Sequence, residues 1–191
     1  MILGITGGIG SGKSYISRLL TAHFAIPVYD SDIEARRLMV TSEEIRRGLV
    51  ELIGPEAYAF DGTLCKPVVA RYLFASEEHA VRVNSLVHPA VKADFMQWAA
   101  SHVGDVAFES AILVEAGFRD AVDYLVTVTA PVELRFQRAM RRDGVGEEQI
   151  RERMVHQCME EERLAAADFV IVNDGRDLMS QLNELYRQIK S

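Results

Sequence analysis

Gly7-Gly8-Ile9-Gly10-Ser11-Gly12-Lys13-Ser14 satisfies every defined position of G-x-x-x-x-G-K-[ST]. Glycines at this spacing let the backbone turn tightly and aim several N–H groups at one point. A helix opening at Lys13 adds the positive end of its dipole to that anion site. Lys13 is then a point charge for β- and γ-phosphates, and the Ser14 hydroxyl is a Mg²⁺ ligand. The apolar run before the loop reads as a strand and the pattern after it as a helix, the context such a loop needs. The chemistry is nucleotide binding and phosphoryl transfer.

Two further groups could serve it. Asp30-Ser31-Asp32 follows an apolar run, Ile26–Tyr29. In a parallel sheet the strand ends gather on one side, so a carboxylate here could take a proton from an acceptor hydroxyl. The same residues serve equally well as a plain helix N-cap. Arg135, Arg138, Arg142 and Arg153 lie on two helical patterns around Asp143-Gly144. Arg138 and Arg142 are four apart and share a face, so a mobile hairpin could close them over a triphosphate. On spacing alone a solvated face, with Glu147, Glu148, Glu152 and Glu160-Glu161-Glu162 as partners, is the simpler reading. His23, His79, His102 and His156 lack metal-ligand spacing and read as structural or exposed.

Five short apolar runs are predicted as strands: Ile2–Ile5, Ile26–Tyr29, Val106–Glu109 continuing toward Ser110, Tyr124–Thr129 and Asp168–Val172. Helical patterns separate them, which predicts an α/β fold with a parallel sheet covered on both faces: a three-layer α/β/α P-loop NTPase with a five-stranded sheet. Thr41-Ser42-Glu43-Glu44 resembles a capping box for a helix that stops near Gly54-Pro55. One helix is predicted over roughly Glu147–Leu164 and a last one over 177–189. Residues from about Pro67 to His102 show only helical patterns. The stretch between the second and third strands is too long for a simple crossover and reads as an inserted subdomain, with acceptor binding as its expected role. The divisions are a core at 1–32, 104–134 and 166–191, the insertion at about 33–103, and a lid at about 135–165.

Over 191 residues the net charge is −7, so no global basic field attracts nucleic acid. The two cysteines, Cys65 and Cys158, are too few for a disulfide framework and read as reduced thiols of a cytoplasmic protein. The N-terminal run shows no signal-peptide pattern, and no apolar stretch reaches membrane-spanning length. The late strand ends in Asn173-Asp174-Gly175, without the Asn-Lys-x-Asp element that reads guanine. The third strand ends in one acid, Glu109, not the pair of a motor ATPase.

Taken together, these segments resemble the dephospho-CoA kinases. The opening Gly4–Ser14, with its threonine at position 6, is similar to that family's start. Pro27-Val28-Tyr29-Asp30-Ser31-Asp32 with Ala35-Arg36 looks like its D-x-D element, and His88-Pro89 like its H-P pair. Arg138, Arg142-Asp143-Gly144, Arg153 with Gln157, Ala167–Ile171 and Asn173-Asp174-Gly175 match in order along nearly the whole chain. The resemblance implies transfer of the γ-phosphoryl of MgATP to the ribose 3′-hydroxyl of dephospho-CoA. It implies a helical CoA-binding insertion and a small helical lid.

The resemblance also implies roles. Asp32 is the base, with Lys13, Arg138 and Arg142 completing the catalytic set. Gly8, Ile9, Gly10, Ser11, Gly12, Lys13, Ser14, Tyr15 and Asn173 meet ATP, the last near adenine. Thr6, Asp32, Arg36 and His88 meet the acceptor. Ser14 holds Mg²⁺, with Asp32 or Glu109 acting through water. The partners implied are ATP and dephospho-CoA, with no nucleic acid or membrane, for a monomer or small homo-oligomer. Three positions depart from the pattern: Ala111 replaces a proline, Glu109 an aspartate, and Tyr15 a threonine. Rival readings are a nucleoside-monophosphate or shikimate kinase, and a nucleotide-dependent binding protein without turnover.

Overall fold

The computed structural model describes residues 1–155 and 157–191; His156 lies outside them. The elements run β1 (Ile2–Thr6), α1 (Lys13–Phe24), β2 (Val28–Asp30), α2 (Ser31–Thr41), α3 (Glu43–Ile53), α4 (Lys66–Leu73), α5 (Glu77–Ala100), β3 (Val106–Glu109), β4 (Tyr124–Thr129), α6 (Val132–Asp143), α7 (Glu147–Val155), α8 (Glu160–Ala166), β5 (Phe169–Val172) and α9 (Leu178–Lys190). The chain divides into two compact units, Met1–Asp30 with Ala99–Ser191, and Ser31–Trp98.

The first unit holds a five-stranded sheet in the order β2-β3-β1-β4-β5, every pair parallel. The three central strands, β1, β3 and β4, are buried on both faces, which is why they read as continuous apolar runs and not as alternating ones, whereas Val170 of the edge strand β5 is exposed. Leu3, Ile5, Ala107, Val126, Val128 and Ile171 pack on Ile16 and Leu20 of α1 and on Leu182 and Leu185 of α9. On the other face, a Cβ at Gly4 would stand 2.9 Å from the Leu113 side chain, so the central strand needs its glycine for close packing. There α8 also meets the sheet: the Thr127 hydroxyl donates to the Arg163 carbonyl at 3.0 Å. These are the three layers the sequence predicts. Leu3 is fully buried in β1, and Leu3→Ala should lower unfolding stability by about 2–5 kcal/mol in chemical denaturation. A loss below about 1 kcal/mol would mean that β1 is not the core strand.

The second unit is helical. Ile45, Leu49, Val83, Val87, Val91 and Phe95 are buried. A Cβ at Gly48 would lie 2.6 Å from the Leu86 side chain, so α3 approaches α5 where the side chain is smallest. Arg37 of α2 donates to Asp94 of α5 at 2.6 Å and also binds Glu34. His79 stacks on Tyr72 with ring centroids 4.0 Å apart, a structural pairing.

Several boundaries differ from expectation. The second strand starts at Val28 because Pro27 offers no N–H. The third ends at Glu109. Ser42 caps α3 by accepting from the Ile45 N–H at 3.3 Å, but Thr41 closes α2, so no capping box forms with Glu44. The helix predicted over Glu147–Leu164 is two, α7 and α8, with Gln157–Met159 between them non-helical. Among the described residues, no helix is long and apolar enough to cross a membrane.

Candidate active site at the phosphate loop

The loop from Gly7 to Gly12 joins β1 to α1. Gly10 and Gly12 have φ of 76° and 97°, in the left-handed region that side chains disfavour. Space forbids side chains there as well. A Cβ on Gly10 would lie 2.1 Å from the Arg135 carbonyl, and one on Gly12 would lie 2.2 Å from Asn173 Nδ2. The Ser11 N–H donates back to the Gly8 carbonyl at 3.1 Å, tightening the turn. Among the described residues, the buried hydroxyls of Ser11 and Thr6 find no hydrogen-bond partner.

Lys13 begins α1, and its ammonium donates to the Gly7 carbonyl at 2.9 Å, across the mouth of the loop. Ser14 donates its hydroxyl to Glu109 Oε1 at 2.7 Å. Glu109 is 6% exposed. It reaches Ser14 because it follows the parity of Ile5 and Ala107, on the sheet face that α1 covers. The extra methylene relative to aspartate thus spans to the hydroxyl directly. Asp30, the last residue of β2, is the register partner of Glu109, so two carboxylates end adjacent strands. Tyr15 is 47% exposed, and its N–H donates to the Gly12 carbonyl at 3.0 Å.

Asn173, just past β5, fastens the loop from the other side. Its Nδ2 donates to the Ser11 carbonyl at 2.8 Å, and its N–H donates to the Thr129 carbonyl at 2.8 Å. Arg138 donates to the Asn173 carbonyl at 3.0 Å and to its Oδ1 at 3.3 Å. Arg142 is engaged elsewhere: it binds Asp143 at 2.7 and 3.0 Å, and Arg153 binds the same carboxylate at 2.9 Å. Arg142, helped by Arg153, holds the Asp143 carboxyl below the usual carboxylate range, against the opposing push of desolvation. Arg138 thus engages Asn173 and Arg142 engages Asp143, although the two share a helix face.

Two expectations are overturned. Arg135 is not on a solvated face: it is 5% exposed, donates Nε to the Ile9 carbonyl at 3.0 Å and pairs with Glu160. Burial lowers its pKa, and the Glu160 carboxylate opposes that shift. Glu160 likewise departs from the solvated face that Glu161 and Glu162 keep: it is half-buried and also accepts from the Thr129 hydroxyl. Gln157 accepts the Ile9 N–H at 2.9 Å. Its Nε2 donates to the Ala111 carbonyl at 3.4 Å, a backbone contact that does not depend on the residue type at 111. No spacing rule points to these residues, since each contact joins segments far apart in sequence.

Asp32, Arg36 and His88 belong to the second unit. Asp32 lies in the first turn of α2, with Arg36 one turn later. His88 precedes Pro89 inside α5, where proline removes a helix hydrogen bond. His88 is half-buried, and burial lowers its pKa, favouring the neutral imidazole.

The sequence model of the dephospho-CoA kinase family matches residues 1–178. The chain is 48% identical over 186 residues to the dephospho-CoA kinase of Bacteroides fragilis, covering 96% of this chain and 90% of that one. It superposes on the crystal structure of TT1252 from Thermus thermophilus with a TM-score of 0.85 and 33% identity, covering 99% and 97% of the two chains. The dephospho-CoA kinase from Campylobacter jejuni shares the fold, with a TM-score of 0.70 at 19% identity over 98% of this chain and 96% of that one. With its phosphate loop, its parallel sheet and these matches, the chain belongs to the dephospho-CoA kinase family.

Proposed function

We propose that this chain transfers the γ-phosphoryl group of ATP to the ribose 3′-hydroxyl of dephospho-CoA, releasing CoA and ADP. The observation that carries the reading is the Ser14 hydroxyl held 2.7 Å from the buried Glu109 carboxylate at the end of an intact phosphate loop, in a chain of this family. Phosphoryl transfer needs little covalent chemistry from the protein, so positioning and charge dominate.

Loop amides and the start of α1 hold phosphate oxygens. Lys13 exchanges the Gly7 carbonyl for the phosphates and neutralises charge developing on the transferred group. Asp32 accepts the proton of the acceptor hydroxyl. Arg138 and Arg142, on the 135–165 lid, counter phosphate charge as it closes. Asn173 sits at the adenine end of the loop. Thr6, Arg36 and His88 hold the acceptor, the neutral imidazole of His88 as a hydrogen-bonding group. The residues also suit Mg²⁺. A hydroxyl beside a carboxylate is a hard-oxygen pair. Among the described residues no group of three acidic, His or Cys side chains forms a protein cage, and Mg²⁺ on nucleotides does not require one. Ser14 and Glu109 would hold the ion, which would supply positive charge against the phosphates. The two free thiols accord with a cytoplasmic setting.

Glu109→Gln keeps an oxygen for Ser14 but loses the charge. It should raise the Mg²⁺ concentration for half-maximal turnover about tenfold or more. An unchanged Mg²⁺ titration would remove Glu109 from the metal site. The function itself is tested by ADP release from MgATP with dephospho-CoA, against adenosine, AMP and shikimate. Turnover on dephospho-CoA alone is expected. Turnover on a control in its place would reassign the acceptor, and none at all would leave a binding protein.

A further inference from the structure

Ile9 is held at three points by the segment that follows β4. Its N–H is accepted by Gln157 at 2.9 Å. Its carbonyl accepts from Arg135 Nε at 3.0 Å. Its side chain packs on the small core of Phe136, Ala139 and Ile150, where α6 meets α7. Arg135 also fills the space beside the neighbouring glycines. A Cβ on Gly8 would fall 1.9 Å from its Nη2, and one on Gly10 would fall 2.1 Å from its carbonyl. The guanidinium stays in place because Glu160, itself bound by Thr129, pairs with it.

The two hydrogen bonds fix two different peptide planes. In a trans peptide, C=O and N–H point in opposite directions. Anchoring the Ile9 carbonyl on Arg135 therefore turns the Gly10 N–H away from Arg135. Anchoring the Ile9 N–H on Gln157 turns the Gly8 carbonyl the other way, where it accepts from Ser11. An anion-binding loop works only when its N–H groups converge before the ligand arrives, so a part that fixes these planes contributes directly to nucleotide affinity.

We propose that Gln157 and Arg135 are positioning residues for phosphoryl transfer: by clamping the peptide planes on both sides of Ile9, they make the shape of the phosphate loop depend on the helices that follow β4. Neither touches the nucleotide in this role. The inference rests on the phosphate-loop part of the proposed function and is independent of the acceptor.

The test uses the full chain with Gln157→Met, which keeps length but loses the acceptor oxygen. A second variant, Arg135→Lys, keeps a cation for Glu160 but removes the Nε–H donor. MgADP affinity is measured by calorimetry without any acceptor, alongside KM for each substrate and the melting temperature. Each variant should weaken MgADP and raise KM for MgATP about fivefold to tenfold. KM for the acceptor should stay within about twofold, and the melting temperature within about 2 °C. Unchanged MgADP affinity in both variants would overturn the proposal. So would losses that track a fall in melting temperature and spread equally to both substrates, which is what a merely structural role gives. Wild-type protein that fails to bind MgADP would instead sink the nucleotide-site reading beneath it.

Discussion

Lys13→Ala is expected to lower turnover by about 10²- to 10³-fold while the chain stays folded. The ammonium belongs to the first residue after the loop. Its bond to the Gly7 carbonyl, at 2.9 Å, keeps it across the loop mouth, a short swing from where β- and γ-oxygens sit in an anion cradle of this kind. The change should not damage the fold. Lys13 is the first residue of α1, Gly12 turns the chain at its start, and alanine is the best helix former. The core residues of α1, Ile16 and Leu20, are untouched. Turnover and circular dichroism measured on the same sample check both halves. Near-normal turnover with native dichroism would remove Lys13 from the mechanism.

Asp32→Asn is expected to lower turnover by about 10²- to 10⁴-fold, the range general-base catalysis supplies, with MgATP affinity within about twofold of the parent. The change is nearly isosteric. The structural effect is the loss of one carboxylate in the first turn of α2, worth about 0.3–1 kcal/mol through the helix dipole. Asp30→Asn is the informative companion. Asp30 closes β2 in register with Glu109, so its loss should act on the Mg²⁺ side of the site. A large turnover loss from Asp30→Asn at saturating Mg²⁺, with Asp32→Asn still active, would transfer the base role to Asp30.

Much of this was legible in the sequence because the information is local. Gly7–Ser14 carries its own geometry: left-handed turns, a helix start and a lysine within one stretch of chain. The five apolar runs became five parallel strands, and the pattern is clearest in β1, β3 and β4, which are buried on both faces. What was not legible depends on contacts between distant segments. Glu160 opens an acidic run that looks like a solvated helix face, and only the fold brings it to Arg135 and Thr129. The interruption between α7 and α8 was hidden for the same reason. Gln157 leaves the helix to reach Ile9, 148 residues away, and Cys158 gives its N–H to Glu115 at 2.8 Å. Tertiary hydrogen bonds thus override a continuous helical periodicity. Arg138 and Arg142 show the limit of spacing arguments: four residues apart, they are engaged by Asn173 and Asp143 respectively.

The departures from the family pattern are also explained locally. Ala111 offers Gln157 its carbonyl, which a different side chain leaves in place. Glu109 uses its extra length to meet Ser14. Tyr15 contributes its backbone to the first turn of α1 while its ring is half exposed.

The most direct measurement is identification of the product. The chain is incubated with MgATP and dephospho-CoA, and the acceptor is recovered and examined by mass spectrometry and phosphorus NMR. One added phosphoryl group, on the ribose 3′-oxygen, with ADP formed in equal amount, is the expected result. ADP formed without a phosphorylated acceptor, or a phosphoryl group on another oxygen, would contradict the proposed reaction.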